Sequence, residues 1–304
     1  MAILAFDIGG SSVKHGVWVD DRLVEKNSFK TPKTWEDMKS QLTAVKEKTE
    51  NAFSLEGVAF SAPGAVNQVD RQIEGVSAVK YLHFFPIYDE LEEVFGLPVS
   101  FENDANSAAL AEVWKGSAKE NDTVLFVVIG TGIGGAVIVN NKVHHGAHLF
   151  GGEFGYMMLN ETQTFSDLAT AVRMAMRYAD RKGMAYDDID GKRVFELADE
   201  GDPIAIEEVD TFFFYLTMGL YNIAYSFDPE KILIGGGVSN MDGLIDRLNN
   251  EFKKLLKRID YDTFLPELDL CTFRSDANLI GAVNNFLQKN TAMVNEENLY
   301  ENNE

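Results

Sequence analysis

Cysteine is almost missing from this chain: Cys271 is the single one among 304 residues. One thiol excludes an intramolecular disulfide, and the expected setting is a reducing cytoplasm. Basic charge is scarce too, with 27 Lys and Arg against 48 Asp and Glu and a formal net charge of −21. A chain this acidic offers no broad basic face, so no nucleic-acid partner is expected. No apolar run approaches the roughly 20 residues that span a bilayer, so no membrane partner is expected either. The first apolar stretch meets Asp7 too early for a signal peptide, and secretion is not expected. A G-x-x-x-x-G-K-[ST] run is absent, which disfavours the P-loop class. A Rossmann turn fits poorly, because strand-like rather than helical sequence follows Gly10.

Hydrophobic residues at 45% supply material for sizeable cores, and the length suits two lobes of roughly 150 residues. Alternation and turn residues predict a strand meander over 3–7, 13–19 and 23–29, with Asp20-Asp21 as its second turn. Thr34 is placed to cap a polar helix running to about Phe53, with Asp37 as capping-box partner. A strand over 57–61 ends at Ala62-Pro63-Gly64, and a short strand over 99–102 gives way to a helix over 104–114. The pattern then restarts: strand 123–129, a glycine turn, strand 135–139 and the turn Asn140-Asn141. The aromatic-rich stretch 204–227 has helical spacing and reads as core. A strand over 231–234 runs into Gly235-Gly236-Gly237, and helices over 242–257 and 278–288 close the pattern. Strand, glycine turn, strand thus occurs once in each half. The expected division is a small lobe of 1–117 with a helix at about 276–290, a large lobe of 118–275, and an acidic, mobile tail at 291–304.

Two glycine turns suit phosphate: Asp7-Ile8-Gly9-Gly10-Ser11-Ser12 and Gly130-Thr131-Gly132-Ile133-Gly134-Gly135. Either alone reads as a plain hairpin. Both, however, set small hydroxyls beside glycines, whose bare backbone lets successive N–H groups form an anion nest. Gly236, in the third glycine run, could pack flat against a nucleoside. Asp104, at a strand-to-helix junction, is by default a helix cap. Phosphate turns combined with one placed carboxylate suggest a kinase.

Taken in order, Asp7-Ile8-Gly9-Gly10, Ala62-Pro63-Gly64, Glu102-Asn103-Asp104-Ala105-Asn106, Gly130 to Gly135 and Gly235-Gly236-Gly237 resemble the ROK family of sugar kinases, open reading frames and repressors. The likeness runs from about Ile3 to about Leu287. It implies an α/β chain with the two-lobed actin-like/ribonuclease H-like ATPase fold and a central cleft. It also implies that Asp104 is the general base for a sugar hydroxyl and that Gly64, Asn103 and Glu153 are on the sugar side. ATP would be held by Gly9, Gly10 and their neighbours Ile8, Ser11 and Ser12, and by Gly130, Thr131, Gly132, Ile133, Gly134 and Gly135. Asp7 would serve Mg²⁺ through water. A homodimer is a further family trait.

Two departures bear on the substrate. Many family members carry a histidine after Gly-Glu-x-Gly and then a cysteine-rich zinc site. Here Tyr156 follows Gly152-Glu153-Phe154-Gly155 and no cysteine comes before Cys271, so zinc is not expected and Tyr156 joins the sugar-side residues. His144, His145 and His148 are read as exposed loop histidines rather than a replacement metal site. Ser166 stands where the family usually has a second sugar-binding glutamate, and read by itself it could simply cap a helix. Losing both sugar ligands opens the C1 end of the hexose. The expected reaction is therefore phosphorylation of the 6-hydroxyl of the non-reducing glucose in a β-glucoside such as cellobiose, as in the β-glucoside kinase branch. The alternatives are a kinase for free glucose, N-acetylmannosamine or fructose, and, from another class, a sugar-responsive regulator.

Overall fold

The first strand, residues 2–8, is buried on both faces because its sequence is almost continuously apolar rather than alternating, the mark of a strand covered from both sides. In this computed structural model, backbone is described for residues 1–260 and 264–301, and side chains up to 290. The chain divides into two units by its internal contacts. One comprises Met1–Lys119, His145–Phe150 and Phe273–Glu304; the other comprises Glu120–His144 and Gly151–Thr272.

The first unit opens with β1 (Ala2–Ile8), β2 (Ser12–Val19) and β3 (Arg22–Lys30), an antiparallel meander. Asp20 and Asp21 turn it with φ of 49° and 63°, the left-handed pair that a two-residue hairpin needs. Next come α1 (Trp35–Glu50), β4 (Leu55–Ala62), the small hairpin of β5 (Ala65–Asn67) and β6 (Gln72–Glu74), α2 (Ile87–Phe95), β7 (Val99–Asn103) and α3 (Asp104–Lys115). The main sheet has the order β3-β2-β1-β4-β7, with β1, β4 and β7 parallel. Phe6, Phe60 and Phe101 are partners across these three strands. Their rings stack at 5.1 Å and 4.5 Å, contacts of about 0.5–1.5 kcal/mol each beyond area burial. One residue further on, Asp7, Ser61 and Glu102 are likewise in register.

The second unit repeats the scheme. β8 (Val124–Ile129), β9 (Ile133–Val139) and β10 (Lys142–Val143) form the meander, turned by Asn140 and Asn141 at φ of 53° and 59°. Helices α4 (Phe165–Leu168), α5 (Ala171–Lys182), α6 (Gly191–Asp199) and α7 (Pro203–Phe227) follow, then β11 (Lys231–Gly236), α8 (Leu244–Arg258) and β12 (Leu268–Leu270). Its sheet order is β10-β9-β8-β11-β12, the same path as in the first unit. Phe212, Phe213, Leu216 and Leu220 of α7 enter the core, as the aromatic spacing implied. This duplicated sheet is the α/β, actin-like/ribonuclease H-like ATPase fold.

The last helix, α9 (Ala277–Glu301), belongs to the first unit. Its glycine and small residues let it lie close: the Phe286 ring rests on Gly57 of β4, and Gly281 on the backbone of Ser107 in α3. The backbone stays helical past the expected end near Gln288, since neither Gly nor Pro occurs after Gly281. The expected mobile tail at 291–304 falls on side chains, and beyond 301 on backbone, outside the described residues.

Candidate active site

In the first unit the carboxyl ends of β1, β4 and β7 carry the polar groups, the position at which open α/β sheets bind ligands. Asp7 is buried, and its Oδ1 accepts from Ser61 Oγ at 3.1 Å and from Asn278 Nδ2 at 2.9 Å. Lys14 Nζ lies 3.5 Å from its other oxygen. Ile8 ends β1 and Ser12 begins β2, so the turn proper is Gly9-Gly10-Ser11. It is closed by Gly9 N–H donating to Ser12 O at 3.0 Å and by Thr31 Oγ1 donating to Gly9 O at 2.6 Å.

The turn from β7 into α3 corrects the default reading of Asp104. Asn103 is the cap: its Oδ1 accepts from Ala105 N–H at 2.9 Å and Asn106 N–H at 3.3 Å. Its amide Nδ2 donates to Gly64 O at 3.0 Å. A strand end with an extended Asn puts the amide over the free N–H groups, and that leaves Asp104 as the first helical residue. The Asp104 side chain is open to water, with Oδ1 accepting from Ala105 N–H at 2.8 Å. Its pKa is nevertheless raised, first by loss of solvation, against the Ala105 hydrogen bond, with the charge of Asp7 adding to the rise. Gly64 has φ of 109°, and a Cβ there would lie 2.8 Å from His83 Cε1, so only glycine fits beside the Asn103 amide.

In the second unit the glycine turn is shorter than its sequence suggests. Ile133, Gly134 and Gly135 are strand residues paired with Ile129, Val128 and Val127, which leaves Gly130-Thr131-Gly132 as the turn. Gly135 is bare because the Phe154 ring lies on it. Phe154 is buried between exposed Glu153 and Tyr156, the latter 74% accessible. Gly236 ends β11 opposite Ile129, at φ 85° and against the Ile129 backbone, while a Cβ at Gly237 would meet nothing. Gly237 is therefore the glycine with an open face.

Neither turn is a left-handed nest, since none of Gly9, Gly10, Gly130 or Gly132 has positive φ. The amides of Gly10, Ser11, Thr131 and Gly132 nonetheless have no acceptor among the described residues. Such donors fit phosphate oxygens. Asp7 offers one carboxylate, enough for an ion that keeps most of its water and is carried by phosphates. No cluster of three or more His, Cys, Asp or Glu able to hold a metal is found among the described residues.

Two further readings are corrected. Ser166 does not cap α4; Thr164 does, in a full capping box with Asp167. The Ser166 hydroxyl instead accepts from Ile133 N–H at 2.9 Å, bracing the strand that leaves the glycine turn. His144 and His148 are exposed as expected. His145 is not: its side chain is 28% accessible and its Nε2 lies 2.9 Å from Glu102 Oε2. Sequence reasoning gave Glu102 no role, and its only local signal is its place just before the cap. No described helix is long and apolar enough to cross a membrane.

Asp7, Gly9 to Ser12, Gly64, Asn103 and Asp104 thus belong to the first unit, and Gly130 to Gly135, Glu153, Tyr156 and Gly236 to the second. Residues 3–289 match the ROK family. The β-glucoside kinase of Klebsiella pneumoniae is 36% identical over 301 residues, covering 95% of this chain and 97% of the relative. A ROK family protein from Streptococcus pneumoniae TIGR4, solved in complex with sucrose, superposes with a TM-score of 0.87 at 35% identity, covering 96% of this chain and 100% of that one. The ROK family glucokinase of Streptomyces griseus, solved with glucose and AMPPNP, gives 0.72 at 26% identity over 93% of this chain and 98% of the other. Matched nearly from end to end by a family profile and by sugar kinases, the chain belongs to the ROK family.

Proposed function

We propose that this protein is an ATP-dependent kinase for the 6-hydroxyl of the non-reducing glucose of a β-glucoside such as cellobiose, with Asp104 as general base. The observation that carries the reading is the division of labour at the β7–α3 turn: Asn103 caps the helix, so Asp104 is left open to solvent with a raised pKa. In the reaction Asp104 accepts the hydroxyl proton as O6 attacks the γ-phosphorus in line, the bond to the bridging oxygen breaks, and ADP leaves. Positioning and charge neutralisation do most of the work in such transfers. The amides of Gly10, Ser11, Thr131 and Gly132 are the donors for phosphate, and Gly236 and Gly237 the flat wall for a nucleoside. Mg²⁺ would supply charge neutralisation on the phosphates, with Asp7 anchoring its water shell. Gly64, Asn103, Glu153 and Tyr156 are the sugar-side residues.

The β-glucoside preference draws on two facts. Ser166 commits its hydroxyl to Ile133 N–H, and Tyr156 presents an open aromatic ring where relatives carry a sugar-binding histidine. The 36% identity to a β-glucoside kinase points the same way. A free-hexose kinase is the second reading, favoured by the likeness to a glucokinase solved with glucose. ADP release measured on cellobiose, glucose, N-acetylmannosamine and fructose separates them. The proposal expects kcat/KM highest on cellobiose; a preference for any monosaccharide overturns it.

A further inference from the structure

Glu102 lies immediately before the cap of α3 and is 1% accessible, yet every part of its carboxylate is engaged. Oε1 accepts from Asn103 N–H at 2.9 Å and Asn106 Nδ2 at 3.0 Å. Oε2 accepts from Gln68 Nε2 at 3.1 Å and faces His145 Nε2 at 2.9 Å. One buried group therefore joins the end of β7, the first turn of α3, the loop between β5 and β6, and the segment His145–Phe150. That segment belongs to the first unit although the chain on both sides of it belongs to the second.

We propose that Glu102 and His145 form a positioning pair for phosphoryl transfer: the imidazole fixes the Glu102 carboxylate, and the carboxylate fixes the Asn103–Asp104 turn that presents the base. This rests on the assignment of Asp104 as base. Nothing in the pair touches the reacting atoms; it acts through the backbone and side chain that Glu102 holds.

The electrostatics agree with the geometry. Burial by itself would push the Glu102 pKa up, but His145, Asn106 and Asn103 N–H pull it below the usual carboxylate range. Donating a hydrogen bond to the Glu102 carboxylate raises His145 above its usual value against the effect of burial. Both shifts favour the charged pair, imidazolium beside carboxylate. The other titratable groups nearby are Lys289, Arg71 and Tyr88. Lys289, on α9, lies 3.4 Å from Phe101 O, and burial lowers it to about 8. Arg71 is already matched by Asp89 and Glu92 and lies over the Tyr88 ring. Burial and the Glu102 charge raise Tyr88, which stays neutral. As pH rises, His145 and Lys289 lose their charge, and Glu102 is left buried without a cation to match it.

The test uses the full chain. In wild type, kcat on saturating sugar and ATP should fall as pH rises through the His145 titration. His145→Gln keeps an N–H donor but never a charge. It should lower kcat at neutral pH on the order of 10-fold to 100-fold, leave KM for ATP unchanged, and abolish that alkaline limb. The series is repeated in a Lys289→Met background, so that the lysine's own titration does not contribute. A His145→Gln protein with wild-type kcat and an unaltered limb overturns the pairing role. Where that variant fails to fold, an NMR titration of His145 in wild type decides: a midpoint above the ordinary value of about 6.5 supports the pair, and one at or below it overturns it. Asp104→Ala is assayed alongside. If it keeps its turnover, the base assignment falls and the positioning role with it; if it loses turnover while His145→Gln behaves as wild type, only the positioning role falls.

Discussion

Replacing Asp104 by alanine should separate catalysis from stability, because the structure gives these tasks to adjacent residues. General-base assistance supplies about 10²–10⁴-fold, which at 1.36 kcal/mol per decade is about 3–5 kcal/mol of barrier. The stability lost with the side chain is much smaller. Asp104 contributes a negative charge in the first turn of α3, about 0.3–1 kcal/mol. The Ala105 N–H it leaves behind still has Asn103 Oδ1 at 2.9 Å. Asn103→Ala is the mirror experiment. It removes the cap, about 1 kcal/mol, together with the tether to Gly64 O, and should lower the thermal midpoint by a few degrees while Asp104 remains. Turnover is read by coupled ADP release and stability by thermal unfolding followed by circular dichroism. The expected pattern is that Asp104→Ala loses two or more decades in kcat with a nearly wild-type midpoint. Turnover within a few-fold of wild type would refute the base assignment. A midpoint falling as far as in Asn103→Ala would show that the carboxylate is structural after all.

The remaining predictions concern pH, the nucleotide side and the frame. Since Asp104 works deprotonated and its pKa is raised, kcat/KM should climb with pH through a midpoint above the ordinary aspartate value of about 3.9; a flat profile from pH 4 to 6 speaks against it. Ser166→Ala strips Ile133 N–H of its acceptor, a loss of about 1–3 kcal/mol for a buried donor. It should weaken ATP binding more than sugar binding, as calorimetric titration would show. Gly281→Ala would place a Cβ 1.6 Å from Ser107 O. The overlap should cost at least about 1–3 kcal/mol by forcing α9 off α3; an unchanged urea midpoint would contradict that packing.

Much of this could be read from residue order because the signals were local. Glycines and paired Asp or Asn residues mark the hairpin turns, and the recurrence of strand, turn, strand foretold the repeated sheet. The Asn-Asp junction was placed correctly, but which of the two caps the helix depends on backbone angles that composition does not show. Both residue types cap well, and the extended Asn103 takes the role. Ser166 looked like a cap for the same reason, until Thr164 and Asp167 closed the capping box between them. The pairing of Glu102 with His145 left no local trace, Glu102's place before the cap saying nothing of its partner. Its members are separated by 43 positions, and a histidine in a glycine-containing loop carries no mark of being drawn inward.

The row of rings across β1, β4 and β7 has an effect beyond filling the interior. Phe6, Phe60 and Phe101 each stand immediately before a polar residue, and alternation along a strand sends ring and polar group to opposite faces. Should β4 slide by a single position, Ser61 would sink among the aromatics and Phe60 would swing out beside Asp7. The greasy side of the sheet is thus the ruler by which its chemical side is measured: whatever keeps three benzyl groups abreast also keeps Asp7, Ser61 and Glu102 abreast.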